Sequence, residues 1–273
     1  MAPELPLEIL EQIIDDLAVY MNVDKLSSIR ACALVCHSFL PLCRKHIFAS
    51  VILNAHHDSS PTSDDLNHLL SNTPHLAVYI RNLKYYVNKK EFIENRFSWL
   101  LPMFMKLVML QELNISYLYS ESGRKLDWMS SSERKVLLPL LHLPTLTSIS
   151  LSSIRNFPVT DLASCVNLKK LRIHSSECSM PNDVGNFFEA LSPTPIMLER
   201  LVIEDEDDVE VVQQLCHAQR PNGKPIIDFS SLKKVTATVG RLDSMTELLG
   251  MWSNLHMFDL TSMSLPHLIS SSI

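Results

Sequence analysis

Six cysteines and eleven histidines are the residues best able to do chemistry in this chain. Cys32 and Cys36 stand one helical turn apart, with His37, Cys43 and His46 close behind. No CxxC pair exists, and the run Cys32-Ala33-Leu34-Val35-Cys36 is apolar, so these thiols read as small core residues rather than zinc ligands. Cys216-His217 sets a thiol beside an imidazole, but no third group that would orient the base follows from the spacing. Glu204-Asp205-Glu206-Asp207-Asp208 reads as a loop whose carboxylates favour the N-terminus of the next helix. It lacks the turn glycine and the ligand spacing of an EF-hand, and its functional alternative is a contact for a basic peptide. His56-His57 falls in a polar loop as a solvated pair. Only five glycines occur, none within five positions of another, which excludes the dinucleotide fingerprint, the phosphate loop and the nucleophile elbow. No catalytic residue, metal or cofactor is expected.

The elements behind these residues must serve another purpose. The 273 residues carry 46% apolar and 20% charged side chains, enough for an extensive core. A formal net charge of −6 gives no general attraction for nucleic acid or an anionic membrane. The start, Met1-Ala2-Pro3-Glu4-Leu5-Pro6, lacks the basic and apolar regions of a secretory signal. The longest apolar stretch, Trp99–Leu110, is broken by Pro102 and Lys106 and is shorter than a membrane span. Reduced thiols in a cytoplasmic or nuclear setting are therefore expected.

Residues 1–48 read as a helical module. Pro6 suits a first helical turn, and Ile9, Leu10, Ile13, Ile14 and Leu17 recur at helical spacing. Asp24 can cap a second helix bearing Leu26 and Ile29, and Phe39, Leu42, Cys43 and Ile47 mark a third. A module this small has more apolar residues than its own core can use. The run Leu5-Pro6-x-Glu8-Ile9-Leu10-x-x-Ile13-Ile14-x-x-Leu17, followed by Leu26 and by Ala33-Leu34-Val35-Cys36-x-Ser38-Phe39, resembles the F-box, in the form abundant in fungal proteins. A proline often seen before the second helix is absent. The resemblance implies a helical bundle that binds the Skp adaptor of a cullin–RING ubiquitin ligase. It carries the adaptor contact to Leu5, Pro6, Ile9, Leu10, Ile13, Val35 and Phe39.

Residues 49–273 hold a second periodicity. The pattern apolar-x-x-apolar-x-apolar begins at Ile80, Leu110, Leu146, Leu168, Leu198, Leu232 and Leu255, at separations of 22 to 36 residues. Its last two positions alternate with polar residues, which is strand periodicity. Helical segments are expected between them at Glu91–Val108, Ser132–Leu141, Asn182–Leu191, Asp207–Ala218 and Leu242–Met251. An earlier unit is expected as strand Phe48–Leu53 and helix Ser63–Ser71. Forty-three leucines fit this alternation. The fold class is α/β, and the pattern resembles a leucine-rich-repeat solenoid of seven to eight irregular units, with a parallel strand ladder on the concave face and helices on the convex face. Ile154, Ser176, Glu206 and Met263 stand where that family usually has Asn or Cys.

The concave residues that could meet a target protein are Lys84, Tyr86, Glu112, Asn114, Lys170, Arg172, His174, Arg200, Glu204, Met257 and Asp259. Together the two resemblances imply a substrate receptor that is not itself an enzyme. The alternative is a scaffold that keeps both modules but works outside ubiquitin transfer.

Overall fold

The computed structural model describes residues 6–20, 25–54, 61–87, 97–117, 125–179, 194–204, 208–220, 222–238 and 257–261. Three helices come first: α1 (Leu7–Tyr20), α2 (Lys25–Val35) and α3 (Phe39–Ile47). The Pro6 carbonyl accepts the N–H groups of Ile9 (3.1 Å) and Leu10 (3.2 Å), so the proline sits where its missing N–H is no loss.

Strands and helices then alternate. In order they are β1 (Ser50–Leu53), α4 (Ser63–Asn72), β2 (Asn82–Val87), α5 (Phe97–Phe104), β3 (Glu112–Tyr117), β4 (Leu126–Asp127), α6 (Ser132–Leu141), β5 (Ser148–Ser152), β6 (Ile154–Arg155) and β7 (Phe157–Pro158). There follow β8 (Lys170–His174), β9 (Cys178–Ser179), β10 (Ile196–Met197), β11 (Arg200–Glu204), α7 (Asp208–His217), β12 (Ile227–Asp228), β13 (Lys234–Thr238) and β14 (Met257–Thr261).

The fold is α/β. One eight-stranded sheet runs β1-β2-β3-β5-β8-β11-β13-β14, parallel throughout and in chain order. Short parallel pairs, β4–β6, β7–β9 and β10–β12, join units at a second level. The repeated apolar positions set the register. Leu83, Leu113, Ile149, Leu171, Leu201, Val235 and Phe258 lie opposite one another in a single row. Tyr85, Ile115, Leu151, Ile173, Ile203, Ala237 and Leu260 form the next.

A backbone device recurs just before six of the long strands. The carbonyl of Ala49 accepts both Arg81 N–H and Asn82 N–H, each at 2.9 Å. The carbonyls of Arg81, Gln111, Thr147, Lys169 and Glu199 each take two N–H groups of the next unit in the same way, at 2.7 to 3.2 Å. Units of unequal length thus join through identical main-chain contacts.

Burial is one-sided. In β2, β3 and β5 every second residue is buried, and these side chains meet the buried faces of α4, α5 and α6 in one continuous core. Leu66 and Leu70, Leu100, Met103 and Phe104, and Val136, Leu137, Leu140 and Leu141 are their contributions, and α7 adds Val211, Val212 and Leu215. A separate, smaller core of Ile14, Ile29 and Cys43 joins α1, α2 and α3.

The helix expected at 91–108 ends early, and its first residues, 91–96, lie outside the described residues. It ends at Phe104, after which Lys106 N–H and Leu107 N–H bond three residues back to Met103 and Phe104. Leu107 and Leu110 are buried, but they lead into β3 instead of extending α5. The helices expected at 182–191 and 242–251 lie outside the described residues. The other three fall as α4, α6 and α7 within a residue or two of their expected ends.

One buried carboxylate ties a unit together. Asp161 accepts the indole N–H of Trp128 (2.8 Å) and a two-pronged contact from Arg134, Nε to Oδ2 at 2.9 Å and Nη2 to Oδ1 at 2.8 Å. Trp128 is fully buried and its ring lies 5.2 Å from that of Phe157. Asp161→Ala leaves both donors without a partner, and a loss of about 3 kcal/mol of stability is expected. Asp161→Asn, which keeps an acceptor for Trp128, should lose less, and urea denaturation of the two variants measures the difference.

Candidate protein-docking surfaces

The first surface belongs to the three helices. Ile14 and Ile29 turn into their shared core, which Phe39, Leu42, Ala33 and Leu17 complete half-buried. Away from that core, α1 and α2 expose several apolar residues among polar ones such as Gln12, Asp16 and Arg30. Ile9 and Ile13, one turn apart, are exposed, as is Leu7. On α2, Leu26 and Leu34 are exposed about two turns apart with exposed Arg30 between them; Leu34 is 87% and Val35 70% exposed. An apolar side chain left in water forgoes about 1.5–3 kcal/mol relative to burial, and six on α1 and α2 are left so.

Of the residues that the F-box resemblance carries to the adaptor contact, Pro6, Ile9, Ile13 and Val35 are exposed on this module. Leu10 is half-buried, and Phe39 packs against the module's own core, where its ring completes the contact among α1, α2 and α3. Leu5 lies outside the described residues. Leu7, Leu26 and Leu34 were not anticipated. On α2, Leu26 and Leu34 stand off the Ile29 side that the three-helix core uses.

A polar clamp holds α3 to α1. Lys45 Nζ lies 2.7 Å from both Glu11 Oε1 and Asp15 Oδ1, and His46 Nε2 lies 2.7 Å from Asp15 Oδ1. The Lys45 ammonium, aided by His46, holds the Asp15 carboxyl below the usual carboxylate range against a smaller effect of burial. Burial works against the Lys45 charge, but the bonds to Asp15 and Glu11 outweigh it and raise its pKa.

The second surface is the outward face of the eight-stranded sheet. Lys84 Nζ stands 5.0 Å above the Tyr86 ring on β2. Glu112 on β3 is exposed, and Asn114 is half-buried with a side-chain carbonyl that meets no donor among the described residues. Ser148, Ser150 and Ser152 line β5. On β8, Lys170 is half-buried, and Arg172 and His174 are exposed. Arg172 Nη2 bonds Glu204 Oε1 on β11 at 2.8 Å, and His174 Nδ1 lies 3.6 Å from Glu204 Oε2. Arg200 is exposed in register with Lys170, and Met257 and Asp259 on β14 stand in register with Lys234 and Thr236. Val202, outward by alternation, is only 1% exposed and lies in register between Arg172 and Thr236. It offers a partner no surface.

The residues that could have done chemistry are placed differently. All six cysteines are free thiols. Burial pushes Cys178 up to about 12, and it raises Cys165 and Cys43 as well, Cys43 with help from Cys32 and Cys36. These thiols are poor nucleophiles at neutral pH. Cys216 is half-buried against the core while His217 is exposed. His56, His57 and residues 205–207 lie outside the described residues. No group of three or more His, Cys, Asp or Glu among the described residues could hold a metal, and no helix among them is long and apolar enough to cross a membrane.

No family model matches the chain, and no curated protein does.

Because Asp15 is held low in the folded chain, its contribution is complete above the ordinary carboxylate value of about 3.9 and fades as pH falls through the lowered value. The stability gap between the wild-type chain and Asp15→Asn, at most about 1 kcal/mol for so exposed a pair, should be full at neutral pH. Denaturation at stepped pH should show the gap closing under acid. A gap that is constant with pH contradicts the clamp.

Proposed function

We propose that the chain is a non-catalytic substrate receptor of a Skp–cullin–F-box type ubiquitin ligase. The three N-terminal helices, residues 1–48, dock the Skp adaptor through the open side of α1 and α2. The remainder, residues 49–273, is an irregular leucine-rich-repeat solenoid whose outward strand face holds a target protein. Ubiquitin transfer would then be promoted by proximity and orientation, with no side-chain chemistry from this chain.

The observation that carries this reading is the spare apolar side of α1 and α2. Ile9, Ile13, Leu26, Leu34 and Val35 are exposed while the module's own core is already filled by Ile14, Ile29 and Cys43. That arrangement fits an apolar helix-packing partner. It falls on the residues that resemble the F-box. The repeat reading is supported by the chain-ordered parallel sheet and its recurring carbonyl contacts. At one position where the resembling family has Asn or Cys, the Ser176 hydroxyl accepts the N–H of Ile154 in the preceding unit (3.0 Å) and donates to the His174 carbonyl (2.9 Å). A short hydroxyl there links adjacent units.

The wild-type chain should co-elute with a Skp adaptor on size exclusion. The double variant Ile9→Glu, Leu34→Glu should not, with thermal unfolding unchanged because neither side chain is in a core. Co-elution by the double variant contradicts the docking assignment. Adding a cullin separates the two readings: a ternary complex fits the ligase receptor, and adaptor binding without the cullin fits the scaffold.

A further inference from the structure

Most charges on the outward face of the sheet are already engaged within the chain. Arg172 is held by Glu204, with His174 beside the same carboxylate, and Lys84 stands over the Tyr86 ring. Lys234 has an interaction of its own. Three charged strand residues of the face meet no opposite charge among the described residues: Glu112 on β3, Lys170 on β8 and Arg200 on β11. All three are the first residues of their strands and share one register row. Glu112 lies opposite Ser148, Ser148 opposite Lys170, and Lys170 opposite Arg200. Neighbouring strands lie about 4.8 Å apart, so about 10 Å and one serine separate the carboxylate from the nearer cation. Lys170 and Arg200 are like charges directly opposite, which destabilise a sheet when nothing lies between them.

We propose that this row docks an extended segment of the target protein that carries one basic and one acidic side chain four residues apart. The basic side chain lies over Glu112, and the acidic one lies between Lys170 and Arg200. The proposal rests on the reading of the outward strand face as the target surface, and it names the chemistry and the placing of the occupant. From β3 to the midpoint of β8 and β11 is about 12 Å, close to four extended residues at about 3.3 Å each. An even spacing puts both side chains on one side of the segment. A carboxylate between Lys170 and Arg200 relieves their repulsion, and Arg200 can give it two parallel N–H contacts. A purely acidic segment, or a nucleic acid, sets a like charge against Glu112. A purely basic one meets Lys170 and Arg200. Both are disfavoured, so the row selects the mixed segment by repulsion as well as attraction. The strands are paired through their main chains, so this spacing is fixed before the partner arrives.

Backbone amide shifts of the isotope-labelled full chain, followed while the peptide Gly-Ser-Arg-Ser-Thr-Ser-Glu-Ser-Gly is added to millimolar levels, test this. Saturable shifts are expected in β3, β5, β8 and β11, and the affinity should fall as salt is added. Glu112→Lys and Arg200→Glu should each weaken binding about fivefold or more. Lys135→Glu, on α6 and away from the sheet face, should leave it unchanged. Both row variants should melt with the wild-type chain, since Glu112 and Arg200 are exposed. Absence of saturable shifts overturns the proposal. So does binding indifferent to both row variants, or equal binding of an all-glutamate peptide, an all-lysine peptide or a peptide with its Arg and Glu adjacent. If the mixed peptide fails but a captured target still depends on Lys84 and Tyr86, only the mixed-charge occupant is wrong. If neither dependence exists, the target reading of the face fails with it.

Discussion

Everything in the larger part of this chain depends on main-chain pairing between one unit and the next. A single carbonyl before each of β1, β2, β3, β5, β8 and β11 accepts two N–H groups from the following unit, and the pairing continues along these strands in parallel register. Main-chain contacts do not depend on side-chain identity. This lets units of 22 to 36 residues join without breaking the sheet. The second consequence is polarity. With helices against one face only, one set of alternating side chains is consumed by the core and the other is left outside. The outward set, Lys84 to Arg200, is therefore free to vary without unfolding the chain, which suits a recognition surface.

The helical module follows a different logic. Its core is three fully buried residues, reinforced by the Lys45 clamp to Glu11 and Asp15. Such a core gives little stability by itself. Covering the exposed apolar residues of α1 and α2 would bury further apolar surface, so a partner that did so would also stabilise the module. A chain with one stiff recognition face and one face that needs covering is suited to linking two other proteins, which is the role proposed here.

The strands were the most legible part of the sequence. Apolar-x-x-apolar-x-apolar encodes both burial and register, and seven of the eight long strands fall where the pattern puts them, with β1 inside the separately expected Phe48–Leu53. Parallel units in chain order leave few other pairings open. Helix ends were less legible, because Leu107 and Leu110 continue the apolar spacing of α5 although the chain has already turned towards β3. On the surfaces, periodicity separates inside from outside but does not reveal cross-strand neighbours. The Arg172–Glu204 pair and the row that holds Glu112, Lys170 and Arg200 arise from register between units, and Val202 is covered in a way that alternation does not foresee. Leu7, Leu26 and Leu34 were hidden for a related reason. Apolar residues spread over more than one side of a helix do not say which side its own fold will use.

Hydrogen exchange of the full chain with and without a Skp adaptor tests the central claim most directly, because it reads every segment at once. The account predicts slowed exchange in 7–20 and 25–36, with the strands of the eight-stranded sheet unchanged. Slowing confined to the strands, or none in the first two helices, would contradict it.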